Sequence, residues 1–316
     1  MKAGAEADDQ NAAHAMRSGW TVPALIAAVL SSCGKPPVSA SPPLYQVEVG
    51  HSVRPETITV LLPGALTTAE IFRPAQDWAA PNHLVVEYRL PGMQGEPVSP
   101  PLDLDRSAAW VADLANRYPE ADIRLIGYST GAVIAIEAAG RIEHSERVKV
   151  AAISSATPFP GAVLAAVRGG LEVATIAVRI DSLDRQRIWE DYYKTLYLGK
   201  GWRRSTAKRE QAQRLEDILK GRVMAPGGGV GKAQSGSLLF WTPSDAALST
   251  RAEIRFYHGE LDPVFPLPAV QRMASRLHSA ICILPEQGHL VLQSDPSLME
   301  RIAKFLGGDG GSGPCG

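Results

Sequence analysis

Gly127-Tyr128-Ser129-Thr130-Gly131 stands between Asp122-Ile123-Arg124-Leu125-Ile126, which reads as a short buried strand, and Ala132-Val133-Ile134-Ala135-Ile136-Glu137-Ala138-Ala139, which reads as an apolar helix. A serine between a strand and a helix sits on a sharp turn, and glycines two residues away on each side leave room for the close backbone approach such a turn needs. The hydroxyl then stands clear of the sheet at a helix N-terminus, where unpaired N–H groups favour negative charge. Ser129 is therefore a candidate nucleophile, and the strand and helix around it carry more weight than the bare Gly-x-Ser-x-Gly pattern.

Outward from that turn, strand-like and helix-like stretches alternate from Thr57 onward. This predicts an α/β fold: a mostly parallel central sheet with helices on both faces. Thr57 to Leu62 is a strand stopped by Pro63-Gly64-Ala65, and Leu84 to Leu90 is a strand stopped by Pro91-Gly92. Ser107 to Tyr118 has a helical apolar side, and Val148 to Ile153 is a further strand. Between about residues 159 and 250 the alternation fails, which predicts a helical insertion whose clearest helices are Asp181 to Leu198 and Ser205 to Lys220. Sheet signals resume at Glu253 to Tyr257 and Ala280 to Leu284, with helices at Ala269 to Leu277 and Pro296 to Leu306. The Gly-rich segment Gly307 to Gly316 reads as a disordered tail.

A serine hydroxyl needs a base, and the base needs a group to hold its ring. In such sheets these groups collect at the carboxyl ends of strands. Asp262 follows one strand in His258-Gly259-Glu260-Leu261-Asp262, and His289 follows another in Glu286-Gln287-Gly288-His289. Glu260 is the rival acid. His258 reads as a strand-end packing residue, and His14, His51, His83, His144 and His278 as structural or solvated. Trp189, Tyr192, Tyr193 and Tyr197 recur at helical spacing, as the packing face of a helix or the wall of an acyl pocket. Arg203, Arg204, Lys208 and Arg209 read as a solvated helix face or, secondarily, as a guide for an anionic head group.

The order Ser, Asp, His, together with Gly-x-Ser-x-Gly, His-Gly-x-x-Asp and Gly-His, resembles the α/β-hydrolase superfamily over about residues 57–306. It is nearest in pattern to esterases and lysophospholipases with a helical cap. The resemblance implies that Ser129 attacks a carbonyl, His289 serves as base and then acid, and Asp262 orients His289. It also implies an oxyanion hole made of the backbone N–H of Thr130 and that of Ala65 or Leu66, although Pro63-Gly64 stands where many members have His-Gly. The expected reaction is ester hydrolysis on a small-molecule acyl substrate, with no cofactor. A thioesterase or acyltransferase would use the same three residues, and Ile136-Glu137-Ala138-Ala139 is faintly similar to thioesterase domains. A binding protein that keeps the fold without the chemistry is disfavoured by the intact Ser, Asp and His.

Composition narrows the remaining classes. A net charge of -1 across 316 residues supplies no field for gathering nucleic acid. The Gly231-Lys232 pair lacks the first glycine and the hydroxyl of a phosphate-binding loop, because Pro226 and Ala233 stand there. Cys33, Cys282 and Cys315 have no metal-ligand spacing, so no metal is expected. The apolar run holding Cys282 favours a buried thiol over a disulfide with Cys315.

Arg17 followed by the apolar run Trp20 to Leu30 reads as a signal peptide, too short to span a bilayer. The polar stretch before it leaves Met16 as an alternative start. Leu30-Ser31-Ser32-Cys33 resembles the lipobox of bacterial lipoproteins, which implies cleavage before Cys33 and its lipidation; an ordinary signal peptide with a chance cysteine is the other reading. The expected organisation is a signal peptide over 1–32, a lipidated Cys33 and Pro-rich tether over 33–52, and the hydrolase-like domain over 53–306. The expected location is the bacterial cell envelope, held by that anchor to the outer membrane and facing the periplasm.

Overall fold

The computed structural model describes residues 44–46, 54–219, 223, 225–227, 229–308, 313 and 315. The predicted signal peptide, Cys33 and residues 33–43 of the tether lie outside the described residues. The sheet consists of β1 (Leu44–Gln46), β2 (Thr57–Leu62), β3 (His83–Tyr88), β4 (Asp122–Tyr128), β5 (Val148–Ile153), β6 (Glu253–Gly259) and β7 (Ala280–Leu284). The principal helices are α1 (Leu104–Asn116), α2 (Thr130–Ala139), α3 (Gly161–Arg179), α4 (Arg185–Leu198), α5 (Thr206–Leu219), α6 (Val230–Ser235), α7 (Leu267–Arg276) and α8 (Leu298–Gly307).

The strand order is β1-β3-β2-β4-β5-β6-β7, with β1 antiparallel to β3 and every other pairing parallel. The sequence reading placed Leu44–Gln46 in the tether; it instead pairs with Val86–Tyr88 at the edge of the sheet. A three-residue edge strand carries too little periodicity to be read alone. The inner strands are apolar on both sides because both faces are covered. Ile58, Val60 and Leu62 of β2 pack with α1, α2 and α7 on one face. Leu61, Ile126, Ile153 and Tyr257 pack with Leu298, Ile302 and Phe305 of α8 on the other.

The register aligns the strand ends. Leu62 pairs with Gly127, Tyr128 with Ile153, Ile153 with Tyr257 and Gly259 with Leu284. Every residue of α2 is buried, so the helix after Ser129 is a central element of the molecule. Glu137, buried within it, accepts hydrogen bonds from Trp241 Nε1 at 2.9 Å and Ser244 N at 3.0 Å. That structural task accounts for an acid in this apolar helix.

Between β5 and β6 the chain inserts α3 to α6, then rejoins the core at Leu238 and Trp241. α3, at 19 residues, is the longest helix there, and periodicity did not reveal it. The solvated reading of the basic cluster also changes at two positions. Arg203 pairs with Glu172 and Asp191 and stacks on Trp202, while Lys208 binds Glu286 and the Leu198 carbonyl. The expectation of a buried free thiol is overturned as well: Cys282, fully buried in β7, is bonded to Cys315 of the tail. The apolar run signals burial of Cys282 but is silent about a partner 33 residues away.

Candidate active site

Ser129 begins α2 with φ 53° and ψ −113°, outside the regions that L-residues favour. The turn closes tightly on its neighbours. A Cβ on Gly131 would lie 1.9 Å from the Leu62 carbonyl oxygen, and one on Gly127 would lie 2.5 Å from Ala132 Cα. Glycine is therefore required at both flanks by close approach. The Ser129 N–H donates to the Ile153 carbonyl at 2.8 Å, which ties the turn to the end of β5.

Asp262 sits three residues past β6, fully enclosed. Its Oδ1 accepts from the N–H groups of Val264 at 2.7 Å and Phe265 at 3.0 Å, and its Oδ2 lies 2.8 Å from His289 Nδ1. Burial pushes the carboxyl pKa up, but His289, His258 and the Phe265 N–H outweigh it and hold the group below the ordinary carboxylate value. An ionised Asp262 fixes the proton of His289 on Nδ1 and leaves Nε2 as the basic nitrogen. Glu260 turns elsewhere, with Oε2 accepting from the Glu286 N–H at 3.3 Å.

His289 is held through its backbone. Its N–H donates to the Leu196 carbonyl of α4 at 2.7 Å; its own carbonyl accepts from Ser154 Oγ at 2.8 Å and Tyr128 Oη at 3.3 Å. The rings of Tyr128 and Phe265 flank the imidazole at centroid distances of 5.3 and 5.8 Å. Burial, then Asp262 and the neighbouring tyrosines, raise the Tyr128 phenol well above its ordinary pKa, so it acts as a neutral donor. Ser154, at φ 44° and fully buried, and Leu196 are positioning residues that sequence reasoning missed. A serine in Ser154-Ser155 carries no local signal of a contact 135 positions away.

His258 is buried as expected and adds a contact to the acid. Its Nε2 lies 2.8 Å from the Phe265 carbonyl and 3.6 Å from Asp262 Oδ2. Burial lowers its pKa despite Asp262, and the Phe265 carbonyl, an acceptor, receives the Nε2 proton.

At the end of β2, the Leu66 N–H donates to Gln234 Oε1 at 2.6 Å, and Gln234 Nε2 donates to the Pro91 carbonyl at 2.6 Å. Gln234, fully buried in α6, thus occupies one of the two candidate oxyanion donors. The Ala65 N–H has no hydrogen-bond partner among the described residues, and Thr130, first in α2, has no intrahelical acceptor for its N–H.

A cavity of about 850 Å³ lies against the other side of the acid, walled by Tyr192, Thr195, Leu261, Asp262 and Val264. Tyr192 lines it, while Tyr193 and Tyr197 pack on the core beneath, with Tyr197 Oη donating to the Gln293 carbonyl at 3.2 Å. Burial, and then Asp262 and Glu172, push the Tyr192 phenol up to about 12, so it faces the cavity as a neutral donor. Among the described residues no group of three His, Cys, Asp or Glu side chains is placed to hold a metal.

The sequence profile of an alpha/beta hydrolase family matches residues 59–301. An alpha/beta hydrolase from a Medee basin deep-sea metagenome superposes with a TM-score of 0.62 at 12% identity, over 84% of this chain and 94% of its own. An esterase from Exiguobacterium antarcticum superposes with a TM-score of 0.55 at 16% identity, over 84% and 95%. A thermophilic esterase from Thermogutta terrifontis does so with a TM-score of 0.55 at 15% identity, over 87% and 99%. No protein of curated function matches the sequence. These identities speak for the fold alone, whereas the profile spans more than half of the chain and with it the strand ends bearing Ser129 and Asp262 and the loop bearing His289: the chain belongs to the alpha/beta hydrolase family.

Proposed function

We propose that the chain is a serine hydrolase that cleaves carboxylic esters through an acyl-enzyme. The observation that carries the reading is the 2.8 Å contact of His289 Nδ1 with a buried, ionised Asp262, in a sheet whose aligned strand ends also present Ser129 on a strained turn. Ser129 Oγ bonds to the ester carbonyl carbon while its proton passes to His289 Nε2. The carbonyl oxygen becomes an oxyanion that accepts from the N–H groups of Thr130 and Ala65. Collapse breaks the bond to the alcohol oxygen, which takes the proton from His289. Water then attacks the acyl-enzyme with His289 as base, releasing the acid and restoring Ser129. Asp262 offsets the imidazolium charge in both halves.

A fluorophosphonate probe tests this directly, since it labels an activated serine. Labelling at Ser129, lost in Ser129→Ala together with p-nitrophenyl butyrate hydrolysis, is the expected result; hydrolysis retained by Ser129→Ala contradicts the reading. Export to the bacterial envelope with a lipid anchor on Cys33 is part of the same proposal. Its support is the Leu30-Ser31-Ser32-Cys33 sequence and the Cys282–Cys315 disulfide, a bond that persists in oxidising compartments such as the periplasm. Mass spectrometry of membrane-extracted protein that finds Cys33 unmodified removes the anchor.

A further inference from the structure

α3 is apolar on both sides. At 100° per residue, Ala162, Ala165 and Ile176 share one face and are buried. Leu164, Val167, Leu171, Ala174 and Val178 share the opposite face, where Leu164, Leu171 and Val178 are 46%, 51% and 83% exposed. Leu183, just past the helix, is 90% exposed. At the other end Phe159 and Phe240, both about half exposed, stack with ring centroids 5.9 Å apart. Along the helix, from Leu164 to Val178, this band runs about 21 Å, far beyond the scattered apolar side chains that surfaces ordinarily carry.

The Phe159 end of the band is basic, whereas at the far end Leu183 lies between the exposed Asp181 and Asp184. Where Phe159 and Leu164 meet the loop into α7, a cavity of about 410 Å³ has Arg168, Arg272 and Arg276 in its wall and no carboxylate. All three arginines are exposed, and none has an ion-pair partner among the described residues. An apolar face with three unpaired cations at one end matches a lipid interface, where the face enters the acyl boundary and the guanidinium groups meet phosphate. The helix does not cross a bilayer, because Glu172 on its inner side is paired with Arg203 and that side is packed into the fold. Two copies meeting through this face would bring two sets of unpaired arginines into one interface.

We propose that the outer face of α3, with Arg168, Arg272 and Arg276, docks on the anionic head-group surface of a lipid bilayer. The proposal is independent of the Ser129 chemistry and of the anchor on Cys33. The test uses the full chain carrying Cys33→Ser, so that no acyl chain competes, and vesicles of phosphatidylcholine alone or mixed with phosphatidylglycerol. Flotation should show binding to the mixed vesicles on the order of a hundredfold tighter than to the neutral ones, and weakening with salt. Val178→Glu and Leu183→Glu should each reduce vesicle binding tenfold or more, and Arg272→Glu with Arg276→Glu should remove the preference for phosphatidylglycerol. Hydrolysis of soluble p-nitrophenyl butyrate should be unchanged in all of them. Absence of vesicle binding, or equal binding by these variants, overturns the proposal. So does light scattering that shows Val178→Glu turning a dimer into a monomer with vesicle binding unaffected.

Discussion

Ser129 pays roughly 1–3 kcal/mol for its backbone conformation, and the surroundings that hold it there are specific: the Ile153 carbonyl on its N–H, and the two glycines against which β2 and α2 close. Ser129 and His289 acting as a unit predicts that Ser129→Ala and His289→Ala each lower turnover about a million-fold, and that the double variant is little worse than either. Asp262→Asn should cost about ten-thousand-fold, because the amide no longer selects the proton position on His289. Glu260→Gln, with its carboxylate on the Glu286 N–H, should leave steady-state kinetics with p-nitrophenyl butyrate nearly unchanged. A separate histidine contributes to stability against acid. His83, bonded to Thr59 at 2.8 Å, has its pKa lowered to about 4 by burial and then by Arg124. The unfolded chain protonates this ring near pH 6.5 and the folded chain does not, so stability present above that pH declines as pH falls toward 4. Thermal melts should show that decline blunted in His83→Gln relative to the parent; identical pH dependence in both contradicts the assignment.

At the scale of elements, α6 is fastened to the hydrolase core by the Leu102 N–H, which donates to the Ala233 carbonyl at 2.7 Å, and by one buried side chain. Gln234 satisfies the Leu66 N–H of the β2 loop and the Pro91 carbonyl of the β3 loop. Gln234→Leu leaves both groups unpaired in a buried place, at about 1–3 kcal/mol each. Because Ala65 precedes Leu66, the same change should lower kcat more than it raises KM, as the proposed oxyanion donor loses its fixed position. An unchanged kcat with unchanged urea midpoint would separate Gln234 from both roles. The strands were legible because β2, β4, β5, β6 and β7 are short runs rich in apolar and β-branched residues ended by turn signals, so Ser129, Asp262 and His289 could be placed at strand ends before any contact was known. α3 was not legible: Gly169-Gly170 stands at its centre, and its polar residues Arg168, Glu172, Thr175 and Arg179 form only a narrow stripe between two apolar faces. Nor were Gln234, Ser154 and Leu196, whose roles exist only through tertiary contacts 168, 135 and 93 residues away in sequence. Their residue types are ordinary for buried or loop positions.

At the scale of the whole molecule, the last helix closes one face of the sheet. α8 lays Leu298, Ile302 and Phe305 on the cluster that includes Cys282 of β7, and Cys315, beyond the helix, is bonded to Cys282. The bond ties a segment of 33 residues to a strand at the edge of the sheet. In the chain-entropy picture, closing a loop of that length restricts the unfolded state and stabilises the fold by about 3–4 kcal/mol. The strand it secures neighbours β6, which leads into Asp262, and itself leads into His289. Cys315→Ser should therefore lower the urea midpoint by an amount equivalent to about 3 kcal/mol. The chemistry should survive at moderate temperature, since neither cysteine is a hydrogen-bond partner of His289 or Asp262. Reductant should produce the same shift in the parent and none in Cys315→Ser. If reductant leaves the parent's midpoint where it was, the bond contributes nothing to stability, and with it falls the argument that an oxidising compartment suits this chain.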